Sequence, residues 1–398
     1  MKKLKVLIVH NYYQIPGGED TVVKNESNLL KENGHEVILY TRHNNELKKK
    51  GILGKIVLPF ETIFSFKTYR EVKELIKKND IDIVHVHNTL PLISPSVYYA
   101  AFNCKVPVVQ TIHNFRLLCP AATLTRDGKI CEECIRKGLK SALKHKCYRN
   151  SFLQTLVVVM MLAIHRAVGT YNKVNGYIAL TEFSKNKLRN LLKEEKKIFI
   201  KPNFVKNQSK IVLPRLVENY FVFIGRLDKL KGVNLLLEAW LEVKDTELYI
   251  IGEGPEKQKL EWIIKENNIR NVKLTGFLPM QEALDIVSKS KAVIIPSQLY
   301  EVFGMVAIEA FSVGVPVIAS NIGALSKIVN ETNGLLFQYD NKRDLIEKIN
   351  LLNNDKEMVD KLSAGALDTF NKLYSDKINY QLLMKIYKFM LGDKVEEV

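Results

Sequence analysis

The stretch KAVIIPSQLYEVFGMVAIEAFSVGVPVIAS, residues 291–320, decides the fold. KAVIIPS (291–297) is a short β-branched run of the kind that forms a strand buried on both faces. FGMVAIEAFSV (303–313) has helical spacing, Gly314 supplies a C-terminal stop, and VPVIAS (315–320) is a second strand-like run. Strand, helix and strand in this order make one βαβ unit, whose strands are parallel. Two carboxylates, Glu301 and Glu309, lie in this mostly apolar stretch with Gly304 between them. Buried acids are costly without partners. Gly304 falls near the helix start, where free N–H groups and the helix dipole can receive a phosphate. A carboxylate can accept from two vicinal hydroxyls, as on a ribose or a sugar ring. The competing reading is an acid before the helix and a solvated acid on it, and spacing alone favours that one.

The same grammar runs outward in both directions. KVLIVH (5–10), HEVILYT (35–41), IDIVHVHN (81–88), VPVVQTIHN (106–114), GYIALT (176–181) and IFIKPN (198–203) form one set of apolar runs. NYFVFIG (219–225), ELYIIG (247–252), NVKLTG (271–276), the two runs of the opening unit and NGLLF (333–337) form another. Helical patterns separate them. Alternating strands and helices predict an α/β chain, and two sets predict two doubly wound parallel-sheet domains. The length of 398 residues, 46% of them hydrophobic, also points to two domains. The boundary falls near 202–218, where PNFVKNQSKIVLPRL carries two prolines. The longest apolar block, LVVVMMLAI (156–164), is too short to span a bilayer and predicts a buried helix. MKKLKVLIVHNYY, at the N-terminus, lacks a small-residue cleavage site and reads as a first strand, so the expected location is cytoplasmic.

In open parallel sheets, ligands bind at the carboxyl ends of the strands. Three further candidates sit there. Arg226 and Lys231, in FIGRLDKLKG, are cations five apart in a loop that could clamp a diphosphate. Gly17 and Gly18, in NYYQIPGGED, allow backbone to approach an anion closely. His113 ends the run VPVVQTIH. Each alone is weak, since a lone loop cation is usually solvated and a lone strand-end histidine usually structural.

Taken together, the chain resembles the family 4 retaining glycosyltransferases, with the two-domain GT-B architecture, in a subset that builds bacterial surface polysaccharides. The resemblance rests on the paired glutamates of EVFGMVAIEA followed by GVPVIAS, with GRLDKLKG, IIGEGP, LTGF and GLLF in order. In the first half it rests on PGGED, DIVHVHNTLPLISPS, VPVVQTIHNFRLLCP and ALTEFSKNKL with KPNFV. It implies an acceptor-binding domain over 1–205, a nucleotide-sugar domain over 206–375, a crossover helix over about 376–398, and a central cleft between the domains. It implies that Arg226 and Lys231 hold the donor diphosphate and that Glu309 holds the ribose. Glu301 would contact sugar hydroxyls, with Phe303, Gly304 and Met305 nearby. Gly17 and Gly18 would approach the phosphates and His113 the transferring sugar. The base would lie near Gly252 to Pro255 and Phe277. The implied transfer retains anomeric configuration, needs no cofactor or metal, and uses a UDP- or GDP-sugar and a glycan or lipid-linked acceptor.

Two features stand apart. Cys119, Cys131, Cys134 and Cys147 have C-x11-C-x2-C-x12-C spacing, a candidate structural zinc pattern that competes with four reduced thiols packing a loop. The formal net charge of +16 lies wholly in residues 1–200, which hold 33 Lys and Arg against 17 Asp and Glu. That excess predicts an anionic partner. The segment NELKKKGILGKIVLPFETIFSFKTYREVKELIKK mixes basic runs with Ile, Leu and Phe, as interfacial membrane segments do; an ordinary surface helix is the alternative. No RNP, KH or helix-turn-helix signature supports nucleic-acid binding. A nucleotide-sugar 2-epimerase of the same fold is the remaining alternative, without support from GRLDKLKG and the paired glutamates.

Overall fold

A computed structural model describes residues 3–15, 17–189, 191–192, 197–206 and 213–392. Part of the expected linker, 207–212, and the last residues of the expected crossover helix, 393–398, lie outside the described residues. The chain forms two compact units. The first takes residues up to Leu124, Glu132–Pro202 and the stretch from Asn379, and the second takes Thr125–Cys131 and Asn203–Ile378.

The first unit is built on β1 (Lys5–Tyr12), β2 (Glu36–His43), β3 (Ile83–Asn88), β4 (Val108–Ile112), a two-residue hairpin pair β5 (Thr125–Arg126) and β6 (Lys129–Ile130) grouped with the second unit, then β7 (Gly176–Ala179) and β8 (Ile198–Ile200). Its six-stranded sheet runs β2-β1-β3-β4-β7-β8 and every neighbouring pair is parallel. β3 and β4 are buried at every residue, which is why they read as near-continuous apolar runs. The order reverses between β1 and β3, so the loops after these strands part there and leave a crevice.

The second sheet comprises β9 (Tyr220–Ile224), β10 (Glu247–Ile251), β11 (Val272–Gly276), β12 (Val293–Ile295), β13 (Val317–Ser320) and β14 (Gly334–Phe337). Its order is β11-β10-β9-β12-β13-β14, again all parallel. Counted from its own first strand this is 3-2-1-4-5-6, the doubly wound dinucleotide-fold order, with its switch point between β9 and β12. Leu236, Leu237, Trp240 and Leu345 pack against β9, β10 and β12 and fill one side of this sheet.

The apolar block at 156–164 departs from expectation. It lies in the helix Phe152–Ala167, but only one face is buried, through Val158, Met161 and Leu162. Leu153, Met160 and Ile164 are exposed. The block is apolar around its whole circumference, so its outward face has no solvent-compatible side chains to show. The C-terminal helix Asp376–Met390 packs on the first unit, where Tyr387 meets His85 at 2.7 Å.

Candidate active site

The second unit gathers its candidates at the switch point. After β9 the chain enters Gly225–Gly232, where Asp228 accepts from the Leu230 N–H and starts a single 3-10 turn, Lys229–Lys231. Gly232 then turns left-handed at φ 76°, and a Cβ there would fall 1.7 Å from the Pro296 carbonyl oxygen. The loop after β9 therefore presses on the loop after β12, and Gln298 N–H donates back to Leu230 O at 2.8 Å. This bracing aims Lys231 at Glu301, Nζ to Oε1 2.6 Å. Ser297 Oγ donates to the same oxygen at 2.7 Å. Burial pushes the Glu301 carboxyl up, but the Lys231 charge and these two bonds outweigh it and hold the group below its usual range. Both bonds use Oε1, and neither uses Oε2. Arg226 is exposed, with its guanidinium 3.7 Å from Asp228.

Glu309 has the opposite environment. It sits in the helix Met305–Ser312, which Gly304 opens in a left-handed conformation at φ 109°. Its carboxylate has no hydrogen bond or ion pair among the described residues. Burial alone raises it to about 7. A largely buried acid without a hydrogen-bond partner among the described residues carries an unmet desolvation cost. Phe303 is buried edge-on against Tyr374, which fixes the backbone of 303–305. The opposite wall is Gly252–Pro255. A Cβ on Gly252 would lie 1.9 Å from Gly225 O, so only glycine lets these loops meet. Gly252 N–H donates to Gly276 O at 2.8 Å, which brings Phe277, 75% exposed, to the rim beside it.

The first unit sets a second group at its own crevice. Gly17 caps the helix Gly18–Glu32, and its N–H donates to Asp20 Oδ2 at 3.0 Å. Gly17 is extended, and a Cβ there would meet nothing within 4 Å, so the fold does not require glycine at that position. Asp20 also holds His10 Nε2 at 2.7 Å. Glu19 accepts from Tyr13 Oη at 3.0 Å, and burial lifts it to about 8.

His113 follows β4 and contacts His87, Nε2 to Nδ1 2.8 Å. Below it lies fully buried Glu26, with His87 Nε2 at 3.4 Å, His85 Nδ1 at 2.9 Å and Lys201 Nζ at 2.8 Å. Burial opposes ionisation of Glu26, but Lys201 and His85 hold it well below the usual carboxylate range. At 3.4 Å, His87 Nε2 and Glu26 Oε1 do not meet in hydrogen-bond geometry. The bond that orients the two upper rings is the His87–His113 contact, in which one imidazole donates and the other accepts. Burial, then the neighbouring His85, lowers His87 to about 3, and burial with His87 lowers His113 as well. Both imidazoles are neutral at physiological pH. Glu26, His85 and His87 come close enough to hold a metal ion, but the Lys201 ammonium already supplies the cation there. A small cavity of about 50 Å³, lined by His113, Asn114 and Arg116 among others, opens beside this stack.

Comparison with known proteins now decides the class. Residues 16–208 match Glycosyltransferase Family 4 and residues 205–368 match Glycosyl transferases group 1. The chain is a glycosyltransferase, with a family 4 domain followed by a group 1 domain. An uncharacterized glycosyltransferase of Methanocaldococcus jannaschii is 25% identical over 97% of this chain and 98% of its own length. A lipopolysaccharide core biosynthesis glycosyltransferase of Rhizobium meliloti is 32% identical over 39% of this chain and 45% of its own. The crystal structure of an Anabaena protein in complex with UDP superposes with a TM-score of 0.68 at 16% identity, covering 96% of this chain and 99% of that one. That likeness concerns the fold, which is GT-B.

Within this glycosyltransferase the expected residues fall into separate groups. Arg226, Lys231, Glu301, Phe303, Gly304, Met305, Gly252 and Phe277 lie on loops or a helix start after strands of the second sheet, and Glu309 lies one turn into the helix Met305–Ser312. Gly17, Gly18 and His113 occupy the equivalent ends in the first. Sequence reading missed Glu26, Lys201, His85 and His87. The signal present was the alternation HVH in DIVHVHN (82–88), which puts two histidines on one face of a buried strand. Of the cysteines, Cys119 and Cys134 interact directly, and that bond, more than any other cause, lowers the Cys119 thiol to about 6. Cys134 is buried with Ala142 and Val159, and Cys147 packs against the same cluster. Cys131 follows the hairpin grouped with the second unit.

Proposed function

We propose that this glycosyltransferase moves a hexose or related sugar from a UDP- or GDP-sugar to a glycan or lipid-linked acceptor, with retention of anomeric configuration, in surface-polysaccharide synthesis. The observation that carries the reading is the contrast between Glu301 and Glu309. One is held ionised by Lys231 and Ser297, while the other is held near neutrality by burial with no partner. A nucleotide sugar fits both. Its ribose hydroxyls would donate to Glu309, its transferring sugar to Glu301 Oε2, and its diphosphate would lie between the Met305 end of the helix and the cations Arg226 and Lys231.

The same residues account for the chemistry. As the bond from C1 to the diphosphate oxygen breaks, negative charge grows on the leaving group, and Arg226, Lys231 and the helix N–H groups stabilise it without a metal. The acceptor hydroxyl attacks C1 from the face the diphosphate leaves. Its proton passes to the departing phosphate oxygen, so no protein nucleophile or base is needed. His113, held neutral by burial, orients a sugar hydroxyl and does not supply a proton. Gly17 and Gly18 are the first unit's candidates for approach to the phosphates.

The four cysteines are not gathered as a ligand set: among the described residues the one group of three or more such side chains is Glu26, His85 and His87, and of the four cysteines Cys119 and Cys134 interact directly. A structural zinc would have to draw Cys131 and Cys147 toward that pair. The ion would cross-link the loop 119–147 and take no part in transfer. Among the described residues no helix is long and apolar enough to cross a membrane. The basic first half suits peripheral attachment to the anionic inner face of a membrane, where lipid-linked acceptors reside. The test is incubation with a panel of UDP- and GDP-sugars and lipid or glycan acceptors. Release of nucleoside diphosphate, with product of the donor's anomeric configuration, is expected. Inverted product would overturn retention, and an epimerised sugar without transfer would favour the 2-epimerase.

A further inference from the structure

The helix Ile52–Ile63 buries only Thr62 among its residues, although it is mostly apolar. Ile52 and Leu53 are 80% exposed and Phe60 is 71% exposed, and Ile56 and Val57 also face outward. Beside it, the helix Phe152–Ala167 exposes Phe152, and Leu153 at 72%. An apolar groove of about 220 Å³ lies between the two, lined by Leu58, Pro59, Leu90, Pro91, Leu153 and Val157. Monomeric soluble proteins rarely leave contiguous apolar surface of this kind uncovered unless something binds it.

Charge identifies the occupant. Lys55 and Arg149 also line the groove. Lys48, Lys49 and Lys146 are exposed on the same two segments. No Asp or Glu occurs between Leu47 and Phe60 or between Lys140 and Leu153. The acids that flank the first segment in sequence are already paired, Glu46 with Arg42 at 2.7 Å and Glu61 with Lys50. A surface that is apolar at its centre and basic at its fringe matches an anionic lipid leaflet, whose acyl chains take the Ile, Leu and Phe side chains and whose phosphates meet the cations. We infer that these two helices form a membrane-docking face and that the groove between them receives a hydrocarbon chain of an anionic lipid. The inference deepens the peripheral attachment proposed above and is independent of the donor chemistry.

The only tryptophans are Trp240 and Trp262, both in the second unit. A full-length Ile56→Trp variant on a Trp240→Phe, Trp262→Phe background is therefore a local reporter. Vesicles of phosphatidylcholine are compared with vesicles containing phosphatidylglycerol. The expected result is sedimentation with the anionic vesicles alone, reversed by salt, with a blue shift of the introduced indole's emission and quenching by brominated acyl chains. If Trp240 cannot be replaced without unfolding, Ile56→Trp on the Trp262→Phe background alone, read as the difference from Trp262→Phe, gives the same information, since Trp240 is buried. Each Lys48→Glu, Lys49→Glu or Lys55→Glu change should lower the partition coefficient about fivefold or more, and Phe60→Ser should abolish quenching. Binding of UDP and GDP should be unchanged in all of them. Vesicle binding without a response at residue 56, or no vesicle binding by a variant that still binds nucleotide, would overturn the assignment. A lipid-free blue shift that tracks dimer formation would overturn it in favour of a second copy of this chain. Loss of nucleotide binding by the wild type would count against the donor reading and not against this one.

Discussion

Lys231 Nζ lies 2.6 Å from Glu301 Oε1, and the two residues come from loops after neighbouring strands β9 and β12. The pair ties the cation expected at the diphosphate to the acid expected at the transferring sugar. Lys231→Ala should therefore do two things. It should cut turnover by about a hundredfold or more, the scale of losing one preorganised charge contact. It should also let burial raise the Glu301 carboxyl, so that the remaining activity climbs with pH where the wild type is flat. Steady-state rates across pH check both. The other half of the clamp, Arg226, is exposed, with Asp228 at 3.7 Å. Arg226→Ala should lower kcat about a hundredfold and leave the melting temperature unchanged. Near-normal turnover would remove Arg226 from the site.

Glu309 gives a prediction with a definite sign. Its carboxyl is raised to about 7 in the free protein, above the unfolded value of roughly 4.3. Its contribution to stability is thus full below the unfolded value and is lost as pH rises through about 7. Glu309→Gln should remove that loss, so the free variant should melt higher than the wild type above about pH 8 and show a flatter pH profile. Donor affinity should move the other way. In the wild type it should rise as pH passes about 7, because the ionised acid accepts better from ribose hydroxyls. In the variant it should be weak and flat. Parallel melting and binding curves across pH separate the two effects.

Lys201 and Glu26 test the layer beneath His113. Lys201→Met leaves a buried carboxylate without its cation and should cost about 3–5 kcal/mol. Adding Glu26→Gln should recover most of that stability, since both charges are then gone. If His113 is oriented through His87, the stable double variant should still lose kcat with little change in donor KM. A double variant with wild-type kcat would make the stack purely structural.

Much of this was legible because parallel strands buried on both faces write themselves as β-branched runs, and because ligand loops follow those runs. KAVIIPS, VPVIAS and GRLDKLKG reported their positions directly. The ionisation states were not legible. Glu301 and Glu309 are the same residue type eight positions apart, and only the fold gives one a lysine and the other none. Glu26 and Lys201 are 175 residues apart and look like ordinary surface charges in the sequence. The helix Phe152–Ala167 was read as buried because hydropathy reports how apolar a segment is and not whether anything covers it.

The cysteine segment is tested by metal analysis. Zinc bound by the four thiolates should appear at about one per chain and leave with Cys131→Ser, and chelation should lower the melting temperature. Metal-free protein that melts unchanged after chelation would leave four reduced thiols packing a loop.

The central claim is that loops of the second unit bind a nucleotide diphosphate sugar. The most direct measurement is the thermal shift of the full chain with UDP- and GDP-sugars, compared between wild type and Glu309→Gln at the same pH. One donor class at about 100 times its dissociation constant should add roughly 2.7 kcal/mol to the wild type, and the increment should largely vanish in the variant. Equal stabilisation of the two proteins, or none of the wild type by any UDP- or GDP-sugar, would contradict it.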